Sequence, residues 1–459
     1  MNNYRPKYHF TVKEGWINDP NGFVFFKGYY HLFYQYQLNG SPMSWGHAIS
    51  KDLIHFEELP LVICHEHYYD KDGSWSGSSI VFNDKLYLIY TGHRIYKEKP
   101  LQTQNILISD DGFNFTYYDK NPVIGKSKVP ENCSIEDFRD PSLFIYKDKI
   151  YCLIGNRSKD DKSQLLLYKS KDMLHWKYER ILISTNELGY MIECPSSFHE
   201  NNKRILIMSP IGIKPQGNDY WNRQSSVYLV CKENLKNIVA NNFYEIDNGL
   251  DFYAAHVIAS GNIMLSWMQN WGRTIPSIDE GIPWVNCFTL PRTLSLQKDK
   301  LIQKPVDSIN ECFGNELSFE GKIKGNKKFD NIKGNVKYLH LELSKADDFS
   351  IKVFKKDDKY VNIYVKDNEV YVDRRNSLNP IKSFHEELAS CNYRKVKIDG
   401  KKLTLDIYLD RITIEIFIND GIKTMSTISF NPDDYDDIEF ESIKGQKVKI
   451  IAKDFNDKN

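Results

Sequence analysis

The feature that most restricts what this chain can fold into is a unit that recurs five times before the last third of the sequence. Each unit opens on a short polar motif, runs into an apolar strand, turns tightly and returns as a second apolar strand. The first copy leads from Asn18-Asp19-Pro20-Asn21-Gly22 into Phe23 to Phe26, turns at Lys27-Gly28 and returns as Tyr30 to Tyr34. The second opens at Trp75-Ser76-Gly77-Ser78 and turns at Asn83-Asp84. The third opens at Arg139-Asp140-Pro141-Ser142 and turns at Lys147-Asp148, and the fourth opens at Glu193-Cys194-Pro195-Ser196 and turns near Asn201-Asn202. The fifth opens at Asp251-Phe252-Tyr253-Ala254 and turns at Ser260-Gly261. The second half of the unit recurs as well. Ser50-Lys51-Asp52, Ser109-Asp110-Asp111 and Ser170-Lys171-Asp172 each end a strand and lead into an aromatic one, at Phe56, Phe115 and Trp176. Four strands per unit, repeated five times, describe an all-β, five-bladed β-propeller rather than a generic sandwich.

The repeat fades after Arg292 and Gln303-Lys304-Pro305, and from Phe313 the chain becomes a series of alternating strands such as Phe349 to Phe354, Tyr360 to Val365 and Ile412 to Ile418. Turns such as Asp399-Gly400 and Asn419-Asp420-Gly421 separate some of them. The expected organisation is a propeller over residues 1–305 followed by a C-terminal β-sandwich over 313–459. The Lys-rich stretch Lys322 to Lys328 reads as a solvated loop.

A propeller turns spacing into geometry. Equivalent positions of different blades surround one channel at one end, so Asp19, Asp140 and Glu193, each at the start of a first strand, should converge on a single mouth. An Asp before Pro is by itself an ordinary turn residue. Three carboxylates at equivalent positions are not, because burying them without purpose would be costly. Glycoside hydrolysis needs such a set: one group attacks or activates water, another protonates the leaving oxygen, and a third can grip sugar hydroxyls. Mutual repulsion between them would keep a proton in the site near neutral pH.

Composition narrows the partners. Lys plus Arg and Asp plus Glu both number 61, which gives no electrostatic case for nucleic acid or an anionic membrane. Aromatic residues make up 14%, which suits stacking on sugar C–H faces. Met1 to Phe10 is polar and basic, and no apolar run approaches the roughly 20 residues of a membrane helix. Eight cysteines without a Cys-x-x-Cys pair read as reduced, mostly buried thiols, and the expected location is cytoplasmic. Cys64-His65-Glu66-His67 is too crowded to aim at one ion, so neither metal nor cofactor is expected, and His65 and His67 could rim the pocket.

These residues resemble glycoside hydrolase family 32, which contains invertases, sucrose-6-phosphate hydrolases, levanases and inulinases. Trp16-Ile17-Asn18-Asp19-Pro20-Asn21-Gly22 is similar to the segment that carries the family's nucleophile. Phe138-Arg139-Asp140-Pro141 is similar to the motif of its transition-state stabiliser, and Glu193-Cys194-Pro195 to that of its general acid/base. Pro291-Arg292, Trp267-Met268 and the late segment Asp410-Arg411 to Glu415-Ile416-Phe417-Ile418 match further landmarks. The resemblance covers essentially the whole chain and implies a propeller followed by a sandwich. It also implies a retaining β-fructofuranosidase (invertase type) that takes a terminal fructosyl unit from a small sugar. Asn18, Gln35, Trp45, Trp75, Ser76 and Arg139 fall where the family contacts that sugar. The sequence departs from the family at Ala255-His256, where Pro-Gln is usual, and in the loop Gln37 to Met43. Both departures are expected near the mouth and bear on the leaving group. Sucrose and sucrose 6-phosphate are the expected substrates, with Arg94, Lys97 and Arg223 as phosphate candidates by position. The rival enzymatic readings are an exo-levanase or inulinase and a fructosyltransferase. A sugar-binding protein without activity is the rival from another class, and it would have no need of Glu193.

Overall fold

The computed structural model describes residues 4–384, 390–400 and 402–456. Five four-stranded antiparallel units follow one another. Blade 1 is built from Gly15–Phe26, Tyr29–Gln37, Ser44–Ser50 and Glu57–Ile63, and blade 2 from Gly73–Phe82, Lys85–Tyr96, Lys99–Ser109 and Thr116–Tyr117. Blade 3 is Cys133–Tyr146, Lys149–Ser158, Ser163–Ser170 and Lys177–Thr185. Blade 4 is Met191–Glu200, Lys203–Ile211, Val227–Lys232 and Phe243–Glu245, and blade 5 is Tyr253–Val257, Ile263–Trp267, Arg292–Gln297 and Lys300–Pro305. The first strand of each blade packs beside the first strand of the next, and Tyr253–Val257 returns to Gly15–Phe26. The first strands therefore line the channel. The short strand Trp284–Val285, inserted in blade 5, pairs in parallel with Gly15 and Trp16 and closes the ring.

Local chemistry explains why the unit repeats. The first hairpins turn through two left-handed residues at Lys27-Gly28, Asn83-Asp84, Lys147-Asp148 and Asn201-Asn202, the geometry that matches strand twist in a two-residue turn. The second motif also repeats bond for bond. Asp52 accepts the N–H groups of Ile54 and His55 at 2.9 and 2.8 Å, Asp111 those of Phe113 and Asn114, and Asp172 those of Leu174 and His175. The residue after each Asp, namely Leu53, Gly112 and Met173, has positive φ. Each aromatic residue sits just ahead of the fourth strand rather than within it. Apolar faces of neighbouring blades then pack as separate cores, for instance Ile89, Phe138, Ile154 and Tyr168 between blades 2 and 3.

A three-ten turn, Asp307–Cys312, leads from the last blade into a sandwich-like ten-stranded assembly. Its 19-residue strand Asp437–Phe455 bends from one layer to the other, with Glu439 to Glu441 against Lys352 to Ser350 and Val448 to Asp454 against Leu343 to Lys337. Lys322 to Lys328 is not a loop. It belongs to the strand Phe313–Lys328, paired along Asp437–Phe455 with most of its lysines in solvent.

The propeller and sandwich meet through buried ions. His9 donates or accepts at Asp410 (2.9 Å) and Glu415 (2.8 Å), and Arg292 bridges Glu415 and Asp247 (3.0 Å) with no side chain exposed. Arg374 holds Asp251, and Arg394 holds Glu245 at 2.8 Å. The N–H groups of Lys7, Tyr8 and His9 also donate to Asp410, so the N-terminal segment is anchored on the sandwich. The sequence landmarks Arg292, Asp410 and Glu415 thus work at the interface. Asp251, the acid that opens the fifth repeat, is absorbed there too.

Candidate active site

In every blade the first strand loses register at the same level. The breaks fall between Ile17 and Pro20, at Ser76, at Asp140-Pro141, at Cys194-Pro195 and at Ala254-Ala255. A bulge re-aims a side chain that regular alternation would send into a core. Here five bulges stand around one channel. Asp140, Cys194 and Ala254 carry positive φ values of 62°, 44° and 55°, strain that persists only where the surroundings impose it. Close approach helps to set the spacing of blades 3 and 4. A Cβ on Gly155 would lie 2.1 Å from the Ile192 carbonyl, so only glycine lets blade 3 meet the residue before Glu193.

The three predicted carboxylates converge. Trp16 Nε1 donates to Asn18 Oδ1 at 2.9 Å, which orients the amide so that Asn18 Nδ2 donates to Asp19 at 3.0 Å. Ser76 donates to the other Asp19 oxygen at 2.6 Å. The Cys194 thiol lies 3.4 Å from that same oxygen and 3.7 Å from Asp140 Oδ2, and the Cys194 N–H donates to Asp140 at 2.8 Å. One residue of blade 4 therefore ties together the acids of blades 1 and 3. Its neighbour Glu193 receives Arg139 Nε and Nη2 at 3.0 and 2.9 Å on one oxygen and the Tyr253 hydroxyl at 2.5 Å on the other.

Burial raises the Asp19 carboxyl above its ordinary range, with Glu193 adding to the shift and the Ser76 and Asn18 hydrogen bonds opposing it. Burial likewise raises Asp140, reinforced by Glu193 and Asp19 against the opposing pull of Arg139. Asp19 and Asp140 are raised first by desolvation, and the mutual repulsion expected from the sequence only adds to it.

The predicted sugar contacts divide. Asn18 and Ser76 touch Asp19 directly, as described. Gln35 donates to the Ser74 carbonyl at 3.0 Å, beside Trp75. Trp75 is partly open, stacked on His93 at 3.9 Å and 9° with the Arg139 guanidinium 5.8 Å from its ring. Trp45 does not reach a sugar. It is 0% exposed, packed in the core between blades 1 and 2, and its Nε1 donates to the Trp75 carbonyl at 3.0 Å. It holds the Trp75 backbone instead of lining the opening. Arg139 is also more committed than expected: besides Glu193, its Nη1 donates to Asp137 at 2.8 Å, which leaves little of its donor fork for a sugar.

Of the departures from the family, the loop Gln37 to Met43 does lie by the site, since the Met43 carbonyl accepts from Ser74 at 2.7 Å. His256 does not. It follows the bulge of its strand and lines a cavity on the side of the hairpin turns. His65 and His67 part company, the first on Ser44 and the second stacked on Tyr69. Among the described residues no group of three or more His, Cys, Asp or Glu side chains could hold a metal ion. Arg94 and Lys97 sit over the exposed ring of Tyr96, and Arg223 is exposed elsewhere. Tyr253, Cys194, His93 and Asp137 were missed in the sequence. Tyr253 and Cys194 lie within the polar motifs that open the fifth and fourth repeats, and that repeat position is the signal that could have found them.

Residues 9–305 match the glycosyl hydrolases family 32 N-terminal domain, and residues 308–456 match the family's C-terminal domain. The chain belongs to glycosyl hydrolase family 32. This family 32 protein is 31% identical over 442 residues to the sucrose-6-phosphate hydrolase of Escherichia coli, covering 93% of this chain and 89% of that one. Its fold superposes on sucrose-6-phosphate hydrolase from Lactobacillus gasseri with a TM-score of 0.87 and 28% identity, covering 99% and 93% of the two chains. It also superposes on a mutant Bombyx mori β-fructofuranosidase in complex with sucrose, with a TM-score of 0.82 and 27% identity over 99% and 94%.

Proposed function

We propose that this family 32 protein is a retaining β-fructofuranosidase that releases fructose from sucrose or sucrose 6-phosphate. The observation that carries the reading is that Cys194 ties Asp19 to Asp140, while its neighbour Glu193 is held by Tyr253 and by Arg139, the residue before Asp140. The names of the E. coli and L. gasseri relatives and the sucrose held by the B. mori neighbour favour these two sugars. In this reading residues 1–305 form the catalytic domain and 313–459 an accessory domain.

Asp19 attacks C2 of the fructosyl unit while the C2–O bond to the leaving sugar breaks, and Glu193 gives that oxygen its proton. The fructosyl-Asp19 ester then yields to water, whose proton returns to Glu193. Retention asks for about 5–5.5 Å between the two carboxyl groups. The strong hydrogen bonds on both Asp19 oxygens hold the nucleophile's plane, and Asp140 accepts from fructose hydroxyls as charge develops on the ring. Tyr253 and Arg139 aim Glu193, and Trp75 offers a stacking face. All eight cysteines are free thiols, six of them buried, which fits a reducing, cytoplasmic setting for a small imported sugar.

The test is fructose release from sucrose and from sucrose 6-phosphate by the wild type and by Asp19→Asn. The proposal expects the mutant to lose release from both, and the ratio of kcat/KM values names the preferred sugar. Near-native release by Asp19→Asn would overturn the assignment of the nucleophile.

A further inference from the structure

Below the bulges the first strands continue toward the hairpin turns, and there the channel opens into a second cavity of about 360 Å³. It is separate from the carboxylate site: Ser76, Asp140 and Glu193 belong to the upper end, whereas Ser78, Ser142 and Ser196 line the lower one. The lower lining mixes polar groups from Ser78, Ser142, Ser196, Ser197, His256 and Asn262 with apolar ones such as Leu143, Phe198 and Val257. Two of the serines are already used as acceptors, by the Leu143 and Val257 N–H groups at 3.0 and 3.1 Å. Their hydroxyl hydrogens remain available to a guest.

Arg204 is the unusual member of this wall. It is 2% exposed, and among the described residues no carboxylate lies within salt-bridge distance of it. Its guanidinium sits over Phe144, with Cζ 3.9 Å from the ring centroid, and its N–H edge is left to other acceptors. Along that edge Nη1 donates to Ser197 at 3.1 Å and Nε weakly to the Glu233 carbonyl at 3.4 Å. Nη2 has no protein acceptor among the described residues. A buried guanidinium is normally paired, because an uncompensated charge out of water is costly. Burial lowers Arg204 to about 10, with the Cys231, Glu233 and Tyr146 side chains only partly offsetting it, and burial holds His256 neutral, down at about 4. The carboxylate in the lining, Glu200, accepts the Leu296 N–H at 2.8 Å.

We propose that this lower cavity is an anion site, with Arg204 as its charged anchor and the serine hydroxyls as its neutral donors, for a small phosphate-type oxyanion. The planar fork matches two oxygens of a tetrahedral anion. The volume admits either inorganic phosphate or the phosphate of a small sugar phosphate. Both sources share the chemistry, and the experiment separates them.

Titration calorimetry with inorganic phosphate and, separately, glucose 6-phosphate would be run on the full chain as wild type, Asp19→Asn, Arg204→Gln and Arg204→Lys. The site predicts equal binding by wild type and Asp19→Asn, since the upper carboxylates take no part. It predicts at least about tenfold weaker binding by Arg204→Gln, with Arg204→Lys in between and sucrose hydrolysis unchanged in both. Should Arg204→Gln not fold, Ser197→Ala, which frees the Nη1 donor without removing the charge, must still alter the affinity. Glucose 6-phosphate binding that Arg204→Gln weakens, without phosphate binding, would assign the cavity to sugar phosphates, and Arg204-dependent binding of both to the phosphate group itself; glucose 6-phosphate binding that Arg204→Gln leaves intact belongs to the carboxylate site and would count against the proposal. No binding by the wild type, or equal binding by Arg204→Gln, would overturn the proposal. Because Asp19→Asn tests hydrolysis and Arg204→Gln tests this cavity, either assignment can fail without the other.

Discussion

Replacing Tyr253 with Phe removes one hydroxyl from the site and nothing else. That hydroxyl lies 2.5 Å from Glu193 Oε2 and 3.1 Å from the Ser209 carbonyl, yet it has one hydrogen. It can donate to Glu193 when the carboxyl is ionised and turn to Ser209 when Glu193 carries the proton. One group thus fits both states of an acid/base residue. A hydrogen bond to a charged group is worth about 1.5–3 kcal/mol, and each 1.36 kcal/mol in a barrier is tenfold in rate. Tyr253→Phe should therefore lower kcat by about 10- to 100-fold. KM should change little, because the hydroxyl faces Glu193 and not the predicted fructose platform. The assay is steady-state fructose release from sucrose across pH, with the melting temperature measured alongside. An unchanged kcat, or a raised KM with intact kcat, would refute the reasoning.

Other perturbations test other parts of the account. Burial lowers His9, but the hydrogen bonds to Asp410 and Glu415 outweigh it and raise the imidazole from 6.5 to about 9. The stability this supplies, about 2–3 kcal/mol at neutral pH, is complete below pH 6.5 and lost as pH rises through about 9. Thermal melts should show that loss in the wild type, and His9→Gln should flatten it; an equal slope in the mutant would contradict the assignment. Because Asp19 must be ionised to attack and its carboxyl is raised by burial, the acid limb of kcat/KM should lie above the ordinary carboxylate range. A profile flat down to about pH 4 would contradict that. Trp45→Ala should cost about 3–5 kcal/mol of stability as a buried aromatic truncation, whereas Trp75→Ala should chiefly raise KM. Paired melts and kinetics on the two variants distinguish support from platform.

Periodicity made the propeller legible, because four blades repeat the two-residue left-handed turn and three repeat the Ser/Asp turn. It also placed Asp19, Asp140 and Glu193 at one end, since repeat position becomes angular position around a channel. Burial was less readable. Trp45 and Trp75 belong to similar-looking aromatic motifs, but only packing separates the one enclosed between blades from the one at the opening. The bulges were invisible as bulges, so the outcome for Tyr253 and for His256, three residues further on, could not be told from alternation. The interface was hidden for a different reason: His9, Arg292 and Glu415 are each more than a hundred residues apart, and no local pattern pairs them. Arg139 looked like a sugar ligand by motif, and its commitment to Glu193 and Asp137 emerges only in three dimensions.

The central claim is a covalent fructosyl-Asp19 that Glu193 helps to form and to resolve. Glu193→Gln should be mixed with β-D-fructofuranosyl fluoride, whose leaving group needs no acid, then digested and analysed by mass spectrometry. The account predicts a peptide containing Asp19 that carries one anhydrohexose, accumulating because the base for hydrolysis is gone. Adduct on another residue, or fructose release without any adduct, would contradict it.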